Sequence, residues 1–257
     1  MRIWTFGCSF TQYFWPTWAD MLITEVNDIG HSGENWGCEG AGNLYIASKI
    51  WECNAKNKFG PNDWVLVCWS SMIREDRYIN NRWETLGNVF SIDPNVYQSD
   101  PKHFAIRDST LITSTQLALN NLNVNSLHWS ILPFNTVSRG NVDPAIKLME
   151  DVLNIFNITL DLPPMMEYLN LLTNDPTLLK HRLTTFKHND IVVDWHPAPW
   201  EHEKYLKECI LPRLTFLPNN LSLNTLNFIN EWNMKIKNFK QPIDLKLINW
   251  KKDLKGW

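Results

Sequence analysis

The apolar run Ile3-Trp4-Thr5-Phe6 breaks off in Gly7-Cys8-Ser9, and it is the first of several short apolar runs separated by longer stretches of helical character. Short apolar runs without polar alternation suit strands buried on both faces, which occur in parallel sheets. Helix-length connections are what parallel neighbours need to cross from one strand to the next. The pattern predicts an α/β protein, a three-layer α/β/α sandwich around a mostly parallel, flavodoxin-like sheet. Strands are expected near residues 2–6, 63–69, 126–132 and 190–193, with a weaker candidate near 26–30. Helices are expected near 16–25, 42–56, 101–122, 143–156, 164–172 and 198–211, with Pro16, Asp100-Pro101 and Asp143-Pro144 as start signals.

A chain of 257 residues with 44% hydrophobic content can bury one sizeable core, so a single domain with appendages is expected. Residues 1–212 are assigned to that domain and residues 213–257 to an extension. The extension carries eight basic residues against three acidic ones, although the whole chain has a net charge of −3. Its lysines alternate with Trp232, Phe239, Trp250 and Trp257. That composition fits a solvated helix held to the body by its aromatics, or a surface for a protein partner.

Weak overall charge gives no signature of nucleic-acid binding. The five cysteines are odd in number and lack C-x-x-C spacing, which points to reduced thiols rather than disulfides or zinc. The start of the chain lacks the pattern of a signal peptide, and no window approaches eighteen apolar residues. A soluble chain without a membrane span is expected, cytoplasmic or virion-associated. No cofactor is indicated.

Ser9 follows an expected strand, where a sharp turn would present its hydroxyl and leave its own N–H pointing into the same space. A serine hydroxyl becomes a useful nucleophile only beside a base, with donors ready for the developing oxyanion. Asp194-Trp195-His196-Pro197 supplies an acid and a base directly after the apolar run Ile191-Val192-Val193, in the chain order Ser, Asp, His. The long connection from residue 69 to residue 101, with Arg74, Arg77, Arg82, Trp83 and Tyr97, is the length of a lid or binding loop. Trp15, Trp36, Trp69, Trp83 and Trp195 fall near expected strand ends, where they could stack on a sugar ring.

Taken together, these blocks resemble the SGNH hydrolases, also called GDSL-type esterases and lipases, over about four-fifths of the chain. Gly7-Cys8-Ser9-Phe10-Thr11 is similar to the family's first block, with Cys8 in place of an Asp that is not the triad acid. Asn35-Trp36-Gly37-Cys38-Glu39-Gly40-Ala41-Gly42-Asn43 resembles the second block, which supplies an oxyanion glycine, and Gly40 is the best match. Asp194-Trp195-His196 resembles the last block, with one intervening residue instead of the usual two. The third block departs from the family: Cys68-Trp69-Ser70-Ser71-Met72-Ile73-Arg74 has no Asn at the oxyanion position, and this form resembles a phage-encoded branch.

The resemblance implies Ser9 as nucleophile, His196 as base and Asp194 as its orienter, with Ser9, Gly40 and Ser70 as oxyanion donors and Trp69 and Arg74 touching substrate. It implies a serine esterase acting on small acyl esters, such as an acylated small molecule or the O-acetyl groups of a polysaccharide. Two other readings are a weakened SGNH-like structural or carbohydrate-binding protein, such as a virion component, and a reactive Cys8. The missing Asn, Cys8 and the basic aromatic extension motivate the first of these. The thiol of an extended Cys8 would face away from Ser9, which counts against the second.

Overall fold

The computed structural model describes residues 1–72, 74–88, 101–134, 152, 154–156, 158–172, 181–187, 190–218 and 220–248. Four strands, β1 (Arg2–Gly7), β2 (Ser32–Asn35), β3 (Trp64–Trp69) and β6 (Asn125–Ser130), form a wholly parallel sheet in the order β2-β1-β3-β6. Helices α1 (Trp18–Asp28), α5 (Pro199–Tyr205) and α6 (Leu223–Asn238) pack on one another on one side of it, with α1 against β1 and β2. On the other side α2 (Asn43–Asn57) lies with α3 (Pro101–Asn121), against β1 and β6 respectively. This is the expected three-layer α/β/α sandwich. Its order is flavodoxin-like, with the crossovers parting to opposite faces between β1 and β3.

The apolar runs become strands because both faces of the sheet are covered. Ile3, Phe6, Val65, Leu66, Val67 and Trp129 are all fully buried or nearly so. Local chemistry sets the helix starts. Asp20 reaches back to the Thr17 N–H (2.8 Å) at the head of α1, and Glu201 does the same for Ala198 (2.7 Å) ahead of α5. Helix α2 has only Gly42 at its cap, and Asp76, remote in sequence, accepts from the Gly42 and Tyr45 N–H groups (2.8 and 2.9 Å) instead.

Three expectations about elements need correction. The run at 190–193 is a strand, β8 (Asp190–Val193), but it pairs antiparallel with β7 (Thr184–Lys187) outside the parallel sheet. Ile191 is well exposed, so three apolar residues there mark a hairpin rather than a buried strand. Residues 26–28 finish α1, and the strand follows at β2. The helix near 164–172 shrinks to α4 (Met165–Tyr168). Most of the helix expected at 143–156 lies outside the described residues.

Part of the connection after β3 is folded. Residues 74–88 fold into the antiparallel hairpin β4 (Arg74–Ile79) and β5 (Arg82–Asn88), turning at Asn80 and Asn81. Both have positive φ, the conformation that two-residue hairpin turns with the native twist demand. Tyr97 lies outside the described residues. Described residues after 213 pack onto the body: Ile229 joins the main core, while Trp232, Ile236 and Ile243 join Tyr13, Trp15 and Ala198 in a second apolar cluster. Trp250 and Trp257 lie outside the described residues.

Candidate active site

Strand β1 ends in a single tight helical turn, in which the Thr11 and Gln12 N–H groups both return to the Cys8 carbonyl (2.8 and 3.0 Å). Ser9 occupies the first position of that turn, and its N–H has no hydrogen-bond partner among the described residues. The turn can close this tightly because residue 7 is glycine. A Cβ there would run into Thr11 Oγ1 and the Cys68 carbonyl. Ser9 therefore stands at the carboxyl ends of the strands, beside the point where the crossovers part, which is where ligands bind in open α/β sheets.

The chain returns to this point after β8. His196 Nε2 lies 2.9 Å from Ser9 Oγ, and His196 Nδ1 lies 2.7 Å from Asp194 Oδ1. The same carboxylate oxygen accepts the His196 backbone N–H (2.9 Å). Ser9 and Asp194 are buried, while the imidazole retains 27% of its side-chain exposure and is the member open to solvent. Burial pushes the Asp194 carboxyl up, but the bonds and charge of His196, with a bond from Tyr13, outweigh it and leave the group below its ordinary value.

Two further residues, neither visible as a motif, hold this arrangement. Tyr13 stacks on the His196 ring at 3.9 Å between centroids and donates its hydroxyl to Asp194 Oδ2 (2.8 Å). Burial and the neighbouring carboxylate keep that phenol protonated, so it remains a donor. Arg182 binds the loop from beneath, donating to the carbonyls of Asp194 (3.0 Å) and His196 (2.7 Å) and pairing with Glu201 (2.7 Å). Trp15 Nε1 adds a bond to the Pro197 carbonyl (2.8 Å). The aromatic run Tyr13-Phe14-Trp15, four residues after Ser9, was the one available sequence signal for part of this.

Helix α5 places His202 fully buried nearby, with neither ring nitrogen bonded to any described residue. Burial, reinforced by the electrostatic effect of the neighbouring His196 and Arg182, pushes its pKa down to about 3. This ring packs as a neutral group.

The second loop runs beside the end of β1, where the Cys38 N–H donates to the Gly7 carbonyl (3.0 Å). It then turns through Cys38-Glu39-Gly40-Ala41, closed by Ala41 N–H to Cys38 carbonyl (3.2 Å). Gly40 has φ +77°, the value a type II turn requires at its third residue, and a Cβ there would press on the Thr85 carbonyl. The Gly40 N–H has no partner among the described residues, whereas that of Gly42 is held by Asp76. That distinguishes the two glycines as donors.

The remaining expected residues have other surroundings. Ser70 is fully buried; its N–H goes to Asn43 Oδ1 (2.8 Å), and its Oγ has no partner among the described residues. Asn43, which also donates to Asp108 (2.8 Å), thus grips the end of β3 from the start of α2. Trp69 does not line an open site: it is fully buried, and its Nε1 bonds His128 Nδ1 (3.2 Å). Trp15 and Trp36 are core residues too, leaving Trp83 and Trp195 partly exposed. Arg74 donates to the Ala41 carbonyl (3.0 Å), so it supports the glycine loop. Cys8 is buried and no disulfide forms among the described residues. Among those residues there is no metal-binding cluster and no helix long and apolar enough to cross a membrane.

No family model matches the chain, and no curated protein does. Among solved structures, the chain is similar to a member of the lipolytic protein G-D-S-L family from Veillonella parvula. The two share 13% identity with a TM-score of 0.42, over 81% of this chain and 97% of that one. It is also similar to a GDSL-like lipase from Bacteroides thetaiotaomicron, at 10% identity and a TM-score of 0.34, over 92% of this chain and 87% of that one. At these values the functional reading stands on the geometry of the site.

Proposed function

We propose that the protein is a serine ester hydrolase of the SGNH type, with Ser9 as nucleophile, His196 as general base and acid, and Asp194 as its orienter. One observation carries this reading: the continuous chain of hydrogen bonds from Ser9 Oγ through the His196 ring to Asp194, at 2.9 and 2.7 Å. These are the distances over which a proton can pass. With Nδ1 donating to Asp194, Nε2 is the free acceptor and takes the Ser9 proton as Oγ attacks an ester carbonyl. The carbonyl oxygen becomes an oxyanion, received by the Ser9 and Gly40 N–H groups. Collapse expels the alcohol, which takes the proton from His196. Water then attacks the acyl-enzyme by the same route in reverse, releasing the acid.

With Ser9 buried and His196 only partly open, small acyl groups such as acetyl are the substrates this site suits, carried on a small molecule or a polysaccharide. Ser70 does not replace the missing Asn in this conformation, and removal of one oxyanion donor costs about 10²–10³ in turnover. The enzyme is therefore expected to be slow. The sealed Ser70 also favours the second reading, an SGNH-like binding or virion protein with little turnover. The test is hydrolysis of p-nitrophenyl acetate together with labelling of Ser9 by a fluorophosphonate. Ser9→Ala should lower turnover by at least ~10³-fold and abolish labelling. Equal rates in wild type and Ser9→Ala would sink the esterase and leave the binding reading.

A further inference from the structure

The loop from Trp36 to Gly42 has most of its backbone donors already committed. The Trp36 N–H goes to Thr5, Gly37 to Asn35 Oδ1, Cys38 to Gly7, Ala41 to Cys38 and Gly42 to Asp76. The Gly40 N–H has no partner among the described residues. It belongs to the peptide unit whose carbonyl is that of Glu39, at the centre of the type II turn. That carbonyl accepts a hydrogen bond from Thr85 Oγ1 (2.9 Å), on strand β5 of the hairpin.

Type I and type II turns differ mainly by a half-rotation of this central peptide. In a trans peptide the C=O and N–H point in opposite directions. Whatever holds the Glu39 carbonyl towards the hairpin therefore holds the Gly40 N–H away from it. If the peptide flipped, the carbonyl would point where the N–H now does, presenting a partial negative charge to an oxyanion. The bond from Thr85 also polarises the peptide, strengthening the opposite N–H as a donor.

We propose that Thr85 is a positioning residue of the oxyanion hole: its hydroxyl locks the Glu39–Gly40 peptide in the orientation that offers the Gly40 N–H to substrate. This inference rests on the esterase reading above. The hairpin is then part of the catalytic scaffold rather than a lid. Two more of its contacts fix the same loop: Arg74 on the Ala41 carbonyl, and Asp76 on Gly42 and Tyr45. The hairpin is itself tied down by Arg107, which donates to the Arg74 carbonyl and pairs with Glu75 and Asp108.

Thr85→Val keeps the shape and strand preference of the side chain but removes the donor, and Thr85→Ser keeps the donor. Both are assayed with p-nitrophenyl acetate, and with a small alkylboronic acid whose tetrahedral serine adduct places an oxygen in the oxyanion hole. The expected result is a roughly tenfold lower kcat in Thr85→Val with KM unchanged, a comparable weakening of boronate inhibition, and recovery of both in Thr85→Ser. Unchanged kcat in Thr85→Val overturns the proposal, as does a loss that Thr85→Ser fails to restore or that leaves boronate inhibition intact. Turnover that is lost in Ser9→Ala but indifferent to Thr85 would remove this inference alone. Wild-type turnover that does not depend on Ser9 would remove the esterase reading and this inference with it.

Discussion

The loop that brings His196 to Ser9 and the loop that runs beside Gly7 are held by different means. The relay loop, residues 194–198, is fixed by side chains from three places in the body: Tyr13 and Trp15 after the Ser9 turn, Arg182 before β7 and Glu201 in α5. The glycine loop, residues 36–42, is fixed on its outer side by one hairpin, largely through contacts to backbone atoms. A base must keep a ring orientation, so it needs side-chain neighbours on its face and edge. An oxyanion donor is a peptide group, so it needs its own carbonyl and its flanking units held. The proposed relay is thus set by packing and charge, the proposed donor by peptide orientation.

If that contrast is right, the largest effect after loss of Ser9 should come from Arg182, which joins two carbonyls and Glu201 at once. Arg182→Met should leave Glu201 without its cation and free the loop, costing roughly 2–3 kcal/mol. For a chain of this size that is a fall of about 5–10 °C in Tm, read by calorimetry, with most turnover lost. Normal activity in a folded Arg182→Met would show that the loop is held without it. Tyr13→Phe is a finer cut. It keeps the stack on His196 and deletes one bond to a carboxylate, so kcat/KM should fall about tenfold with Tm within about 5 °C of wild type. A larger fall in Tm than in activity would make Tyr13 a packing residue.

The smallest effect concerns acid stability. His202 is neutral in the fold with a pKa near 3, and His128 is held down to about 4 by burial; both would titrate near 6.5 when unfolded. Their contribution is intact above about 6.5 and is lost as the pH falls towards 4 and then 3, because only the unfolded chain takes up the protons there. His202 has no polar partner among the described residues to abandon, so His202→Leu should flatten the decline of Tm between pH 6.5 and 3. An unchanged slope would assign the acid sensitivity elsewhere.

Much of this site was legible because its chemistry is tied to strand ends. Gly7, Ser9, Asp194 and His196 could be picked out from residue type, spacing and order, Gly40 only from the resemblance to the SGNH second block, and a first strand ending in glycine already implied a sharp turn. Trp69 misled because a residue at the end of a buried strand can face inward as readily as towards the site; here its indole stacks near His128. Asn43, Thr85 and Arg182 carry no sequence signal, and Tyr13 only its place in an aromatic run after Ser9. They act on atoms 27 to 65 positions away or across the whole chain, or, for Arg182, on carbonyls that have no sequence identity.

The sequence encodes the parallel α/β core locally, through apolar runs short enough for strands and connections long enough for helices. It also determined which residues could supply nucleophile, base and acid. Tertiary structure alone decided that β8 leaves the sheet for a hairpin, that Asp76 caps a helix lacking its own capping side chain, and that Thr85 faces the Glu39 carbonyl. The reason is physical. Burial and periodicity are properties of short stretches and are written locally, whereas the direction of a hydrogen bond depends on where two distant backbones come to rest.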